Sequence, residues 1–156
     1  MELKTKIHAQ EGQQDIIITR DFELPLALLF KAYTEAELVE QWMGNTVLKL
    51  ENKNHGSYQF EKRDTEGNLL FSANGTIHEI VLNDKIVRTF EMENTPFPTQ
   101  LEFLKFEETA TESSKLTIHI IYKSVTDRDQ MLKLPFAQGL NMAHNQLQKI
   151  ANSLKH

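Results

Sequence analysis

The first third of the chain carries one strand pattern followed by two helical patterns. Asp15–Phe22 is rich in β-branched residues, which predicts a strand. Pro25 then stands where the first turn of a helix tolerates proline, and apolar residues follow it at helical spacing. Thr34 and Glu37 have the spacing of a capping box, so a second short helix is predicted to begin there and to end at Gly44.

The middle of the chain alternates apolar and polar residues in segments that turn residues separate. This alternation predicts six strands. Their predicted ranges are 46–51, 57–63, 69–82, 85–93, 99–107 and 115–124. The third range is too long for an uninterrupted strand, and Gly75 near its middle predicts a bulge or a bend.

The last quarter of the chain changes to the period of a helix. Apolar residues recur three or four positions apart, which predicts one helix of about 28 residues over 127–154. Pro135 lies inside it, and we expect a kink or a break there because proline removes a backbone hydrogen bond. Helices gathered on one side of an antiparallel sheet define an α+β fold. We expect one domain over 15–156, preceded by a flexible polar segment, 1–14.

Composition and charge narrow the classes of function. A chain of 156 residues is the size of one domain. The formal net charge of −5 argues against nucleic-acid binding, because that activity needs surplus positive charge. The chain has no cysteine, which excludes disulfides, thiolate metal sites and thiol catalysis. We recognise no signal peptide and no apolar stretch long enough to insert in a membrane, so we expect a cytoplasmic protein.

Catalytic and metal-binding motifs are sparse. The serines lack a G-x-S-x-G context, no Gly-rich phosphate loop is present, and the six histidines form no metal-binding pair. We therefore predict no catalytic residue, metal or cofactor, and we favour a binding protein over an enzyme. Most strand carboxylates are expected on a solvated outer face, although Glu79 or Arg88 could orient the polar end of a ligand. Those strand carboxylates are Glu61, Glu79, Glu91, Glu93 and Glu102.

Several short motifs stand in a characteristic order. They are Ile18-Thr19-Arg20-Asp21-Phe22, Pro25, Phe30-Lys31-Ala32-Tyr33-Thr34, Trp42, Gly75, Glu79-Ile80, Thr89-Phe90 and Gly139. Over roughly 15–154 the chain thereby resembles the START-like (SRPBCC) superfamily and, more narrowly, homologues of the activator of heat-shock protein 90 ATPase. Two positions depart from that family, since Met43 and His144 stand where tryptophan is common. The resemblance implies a helix-grip fold, in which a curved antiparallel sheet wraps a long C-terminal helix and often leaves a cavity.

Aromatic side chains on the predicted strands and helices are the most suggestive feature. They are typical of an ordinary core, and equally of a cavity that binds small molecules. With the cavity that the resemblance implies, they favour a protein that shelters a small apolar or amphipathic, lipid-like molecule. The candidate cavity residues are Trp42, Tyr58, Phe60, Phe71, His78, Arg88, Phe90, Phe103, Phe136, Leu140 and Ala143.

Two other functions compete with ligand sheltering. The family resemblance implies a chaperone-associated interaction protein of the stress response, although 1–14 is too short to supply a separate chaperone-binding domain. The third hypothesis is a cyclase or hydrolase that uses the same cavity, with Tyr58, His78 and Glu79 as its candidate polar groups. The sequence leaves the ligand and the oligomeric state open.

Overall fold

The computed structural model describes residues 3–155, and within that range the order is two strands, two helices, six strands and two helices. The strands are β1 (Lys6–His8), β2 (Asp15–Phe22), β3 (Thr46–Leu50), β4 (Gly56–Arg63), β5 (Leu69–Val81), β6 (Lys85–Met92), β7 (Gln100–Ala110) and β8 (Ser113–Ile121). The helices are α1 (Leu26–Thr34), α2 (Ala36–Met43), α3 (Val125–Leu132) and α4 (Phe136–Asn152).

All eight strands form one antiparallel sheet in the order β1-β2-β8-β7-β6-β5-β4-β3. Strands β3 to β8 pair with their neighbours in the chain, whereas β2 crosses over to pair with β8. The sheet curves around the helices, and α2 packs against α4 on its inner side. The expected α+β helix-grip architecture, with two short helices after the first predicted strand, is confirmed.

Alternation along the strands decides which side chains form the core. In β8 the side chains of Leu116, Ile118 and Ile120 are buried, and the residues between them are more exposed. This is the face that the sequence predicted for β8. Leu147 of α4 is fully buried against the same core. The inner face of the sheet and one face of α4 therefore bury their apolar residues against each other.

The predicted C-terminal helix is two helices in the structure. α3 ends at Leu132 and α4 begins at Phe136, so the break expected at Pro135 is confirmed. Ser124 caps α3, because its hydroxyl oxygen accepts a hydrogen bond from the backbone N–H of Asp127 (3.1 Å). None of the four helices in residues 3–155 is long and apolar enough to cross a membrane.

The capping box predicted at Thr34 does not form. The Thr34 hydroxyl instead donates to the carbonyl oxygen of Phe30 (3.0 Å), so it bonds back into α1. The residue that precedes α2 is Glu35, in an extended conformation and with no side-chain cap. The predicted end of α2 is confirmed, since Gly44 adopts a left-handed conformation (φ 73°).

Gly75 serves close packing rather than a bulge. It stays in register with Tyr58 of β4, and the register shifts of β5 lie on either side of it, between Leu69 and Phe71 against β4 and between Ile77 and Glu79 against β6. A Cβ atom at Gly75 would come within 2.5 Å of the Tyr58 ring and would overlap the carbonyl oxygen of Thr89. Only glycine lets the Tyr58 ring pack this closely on β5.

Part of the N-terminal segment joins the sheet as β1, which the sequence did not predict. Residues 6–8 pair with β2, and the backbone N–H of Thr5 donates to Asn141 Oδ1 in α4 (2.8 Å). Met1 and Glu2 lie outside the described residues. The segment 1–14 is too polar to show a strand pattern, and β1 forms because β2 offers it an unpaired edge.

Candidate functional site

A cavity of about 470 Å³ lies between the inner face of the sheet and the helices α2 and α4. Its wall is mainly apolar, and the exposed residues Lys62 and Gly139 are also part of it, so the cavity opens to solvent beside them. The apolar lining residues are Ile18, Val39, Trp42, Met43, Phe60, Phe71, Phe90, Met92, Ile118, Ile120, Met131, Phe136, Leu140 and Ala143. A chamber of this size accommodates a molecule of a few rings or a short acyl chain.

Eight of the eleven candidate residues chosen from the sequence line this cavity. They are Trp42, Phe60, Phe71, Arg88, Phe90, Phe136, Leu140 and Ala143. The sheet supplies Phe60, Phe71, Arg88 and Phe90, and the helices α2 and α4 supply the other four. The indole N–H of Trp42 donates to the carbonyl oxygen of Ala32 (2.8 Å), which fixes the ring in the wall. The role of these residues in binding stays a prediction.

Tyr58 lies behind the wall instead of lining it. Its side chain is buried, and its hydroxyl donates to the carbonyl oxygen of Thr89 (2.5 Å). The guanidinium carbon of Arg88 lies 5.2 Å from the centre of the Tyr58 ring, which is a cation–π contact. Tyr58 therefore holds Arg88 in place from the side away from the cavity.

Phe103 and His78 lie outside the cavity, on the other face of the sheet. Phe103 is 38% exposed and packs against His119, because in β7 the inward positions are those of Glu102 and Leu104. His78 sits at the register shift of β5, where the bulge leaves it exposed and 6.4 Å, centre to centre, from the ring of His55. Neither residue can touch a molecule in the cavity.

A polar cluster interrupts the apolar wall where β6, β7 and β8 run side by side. Arg88 and Glu102 are cross-strand partners, and Arg88 Nε donates to Glu102 Oε1 (2.9 Å). Gln100 Nε2 donates to the other carboxylate oxygen of Glu102 (2.8 Å). The Arg88 and Glu102 side chains are only 17% and 7% exposed. Burial of this ion pair is tolerable because both charges are hydrogen-bonded.

Tyr122, two residues past Ile120 on the same face of β8, completes the cluster. Tyr122 lines the cavity and is 5% exposed. Its hydroxyl has no hydrogen-bond partner among the described residues, and it retains accessible surface, because no fully buried side-chain oxygen of these residues lacks a hydrogen bond. Burial and the negative charge of Glu102 raise the pKa of Tyr122, so the hydroxyl keeps its proton at neutral pH. Tyr122 therefore offers the cavity a neutral hydrogen-bond donor.

A second buried network supports the helical wall. His144 of α4 is fully buried, with Nδ1 2.7 Å from the Thr5 hydroxyl and Nε2 3.0 Å from that of Tyr33. Burial, and then the positive charge of Arg20, lower the pKa of His144 to about 3. The imidazole is neutral at physiological pH and satisfies one hydroxyl as donor and the other as acceptor. The network fixes the Tyr33 side chain, which lines the cavity.

Sequence reasoning missed four polar lining residues that matter here: Tyr33, Gln100, Glu102 and Tyr122. Most strand carboxylates were expected on a solvated outer face, and Glu102 is an exception because β7 points it inward. Tyr122 had a usable signal, since it continues the alternation of Leu116 and Ile118. No group of three or more His, Asp and Glu side chains within residues 3–155 is arranged to hold a metal ion.

Solved structures with the same fold come from several bacteria. Ms6760 from Mycobacterium smegmatis is 18% identical, with a TM-score of 0.79 over 96% of this chain and 95% of that chain. A Rhodobacter sphaeroides protein is 16% identical, with a TM-score of 0.82 over 96% and 99%. DynU16, from the dynemicin biosynthetic locus, is 12% identical, with a TM-score of 0.69 over 92% of this chain and 49% of that chain. At these identities the likeness establishes the fold alone.

The fold and the cavity define a protein of the START-like, helix-grip class. A family model described as "Activator of Hsp90 ATPase homolog 1-like protein" matches residues 23–152. The chain belongs to this family, as its motifs indicated. No curated protein matches it in sequence.

Proposed function

We propose that the protein binds a small apolar or amphipathic, lipid-like molecule in the cavity between the sheet and α4. The observation that carries the proposal is an open chamber of about 470 Å³ with an apolar wall and one polar cluster. The interior of a folded protein is normally filled by side chains, because an empty apolar space loses the packing energy that side chains would contribute. A wall of fixed aromatic side chains around such a space is typical of a binding site.

The size of the cavity bounds the affinity that apolar contact can supply. A ligand that buries about 300 Å² of apolar surface gains about 7–8 kcal/mol at roughly 25 cal/mol per Å². That gain corresponds to a dissociation constant near 1 μM before the cost of ordering the ligand is subtracted. Tighter binding needs hydrogen bonds, and the polar cluster around Arg88 offers them within the apolar wall.

Titration with N-phenyl-1-naphthylamine, a neutral fluorophore that brightens in apolar surroundings, tests the proposal. We expect saturable binding at one site. Ala143→Phe places a ring inside the cavity and should weaken binding at least tenfold. Met142→Phe is the matched control, because Met142 is the neighbouring residue of α4 and is 64% exposed. Equal binding by both variants, or no saturable binding by the wild type, would show that the cavity is not the site.

The chaperone-associated function has one observation in its favour, the description of the family. It predicts that the purified protein stimulates the ATPase of a heat-shock protein 90 chaperone. Stimulation that Ala143→Phe leaves unchanged, together with no binding of the fluorophore, would favour this function over ligand binding. The ATPase assay and the fluorophore titration together decide between the two proposals.

A further inference from the structure

The polar cluster of the cavity has unused hydrogen-bond donors. Arg88 bonds Glu102 through Nε, and neither of its terminal nitrogens makes a hydrogen bond with another of the described residues. The Tyr122 hydroxyl likewise has no partner within residues 3–155, although Tyr122 is only 5% exposed. Neither set of donors is fully buried, since no fully buried side-chain nitrogen or oxygen of the described residues lacks a hydrogen bond. Both residues line the cavity, so a ligand there can supply the acceptor that these donors lack within the protein.

The register of the sheet places these donors on both sides of one carboxylate. Arg88 is the β6 partner of Glu102, and Ile120 is its β8 partner. Tyr122 follows Ile120 by two residues and therefore lies on the same face. Glu102 and Gln100, which donates to it, thus lie in β7 between Arg88 and Tyr122. A polar group of a ligand that lies above Glu102 would have Arg88 on one side and Tyr122 on the other as hydrogen-bond donors.

The charge of the cluster restricts which acceptor fits. Arg88 is already neutralised by Glu102, whose two carboxylate oxygens each accept one hydrogen bond. A ligand carboxylate seated over Glu102 would therefore be a second negative charge in a poorly solvated space, where repulsion is strong. An uncharged carbonyl oxygen accepts the same hydrogen bonds without that repulsion.

We infer that the ligand carries an uncharged carbonyl group, such as that of a ketone, ester or amide, on its apolar body, and that Arg88 and Tyr122 bind this oxygen. Glu102 excludes ligands that bear a carboxylate instead. This inference rests on the proposed function, since it names the chemical class of molecule that the same cavity selects.

Three probes that share one naphthalene skeleton separate these contributions. They are 6-propionyl-2-dimethylaminonaphthalene (the ketone), 6-propyl-2-dimethylaminonaphthalene (the hydrocarbon) and 6-dimethylamino-2-naphthoic acid (the carboxylate at pH 7). For the wild type we expect the ketone to bind about three- to tenfold more tightly than the hydrocarbon, as one or two net hydrogen bonds provide. The carboxylate should bind at least tenfold more weakly than the ketone.

Two conservative variants test the assignment residue by residue. Tyr122→Phe removes a hydroxyl that bonds no described residue, so we expect ketone affinity to fall about three- to tenfold with hydrocarbon affinity unchanged. Glu102→Gln removes the negative charge, keeps the shape and frees the charge of Arg88. In this variant the carboxylate should bind more tightly than the ketone, which reverses the wild-type preference. Unfolding midpoints of both variants show that they remain folded.

The outcomes separate the two proposals. Hydrocarbon binding without a preference for the ketone, or a wild type that prefers the carboxylate, would overturn this inference and leave the proposed function standing. Unchanged preference in Glu102→Gln would overturn the part assigned to Glu102. Failure of all three probes to bind the wild type would overturn the proposed function together with the inference.

Discussion

Acid should destabilise this protein through His144, whose ring is neutral and fully buried in the native state. Its pKa is about 3 in the folded protein and near 6.5 in the unfolded chain. Below pH 6.5 the unfolded chain therefore binds a proton that the folded protein does not. By linkage, the stability that the neutral ring contributes is lost as the pH falls from about 6.5 towards 3.

The size of the effect follows from these two values. Between pH 6.0 and 4.5 the unfolded state holds most of one proton on this residue, while the folded state holds almost none. The linkage relation gives a loss of about 2 kcal/mol of unfolding free energy over this interval. A pKa nearer 4 in the folded state would lower that figure by only about 0.2 kcal/mol, so the prediction does not depend on the exact value.

Urea unfolding of the wild type and of His144→Gln isolates this contribution, because glutamine has no charge to gain yet keeps a donor and an acceptor for Tyr33 and Thr5. Trp42 is the one tryptophan of the chain and lies in the core, so its fluorescence reports unfolding. The difference in unfolding free energy between the two proteins should change by about 2 kcal/mol between pH 6.0 and 4.5, in the direction of a wild type that weakens more. A difference that is constant within 0.5 kcal/mol, on the order of the fitting error, would refute the assignment.

Five further substitutions, of which Gly139→Ala and Leu154→Ala serve as matched comparisons, have expected effects on thermal or urea unfolding. Gly75→Ala should lower the free energy of unfolding by about 1–3 kcal/mol, because the new Cβ atom would clash with Tyr58 and with the backbone of β6. Gly139→Ala has open space around it and should raise the free energy of unfolding by about 0.5–1 kcal/mol, because alanine favours the helix more than glycine does. Equal effects of the two substitutions would contradict the packing argument. Ser124→Ala should lower the free energy of unfolding by about 0.5–2 kcal/mol, because it removes the side-chain cap of α3. An unchanged free energy of unfolding would show that this cap does not stabilise the protein. Leu147→Ala should lower the free energy of unfolding by about 2–5 kcal/mol, because Leu147 is fully buried. Leu154 is about half exposed, so Leu154→Ala should lower it by no more than about 0.5 kcal/mol. Similar losses in the two variants would mean that α4 does not pack as described.

The fold was largely predictable because most elements carry an unambiguous period. In β8 the apolar residues occupy alternate positions, so one face of the strand is defined. β7 is different, since Leu101, Phe103, Leu104 and Phe106 fall on both faces. Only pairing with β6 and β8 decides that Leu104 and Phe106 point inward. The wrong placement of Phe103 follows from this ambiguity, because a shift of one residue exchanges the two faces.

The apolar wall of the cavity was predictable and its polar cluster was not. Aromatic residues on strands and helices pack inward in most folds, so the family resemblance sufficed to select Trp42 and Phe136. Glu102 is buried only because Arg88 lies opposite it on the next strand. That pairing depends on the register between β6 and β7, which composition and local periodicity do not contain. A buried pair of charges such as this one can be predicted only when the register between the two strands is known.

The pairing of β2 with β8 also sets the order in which this chain can fold. Asp15 and His119 are 104 residues apart in sequence, and Thr5 and His144 are 139 apart. At about 5–20 residues per second, a ribosome needs roughly 5–20 s to reach β8 after making β2. Throughout that interval β2 can pair only with β1, and Ile16, Ile18 and Phe22 lack the C-terminal part of the core that buries them in the folded protein. The nascent chain therefore passes through a period of exposed apolar surface that only its own C-terminal elements can end.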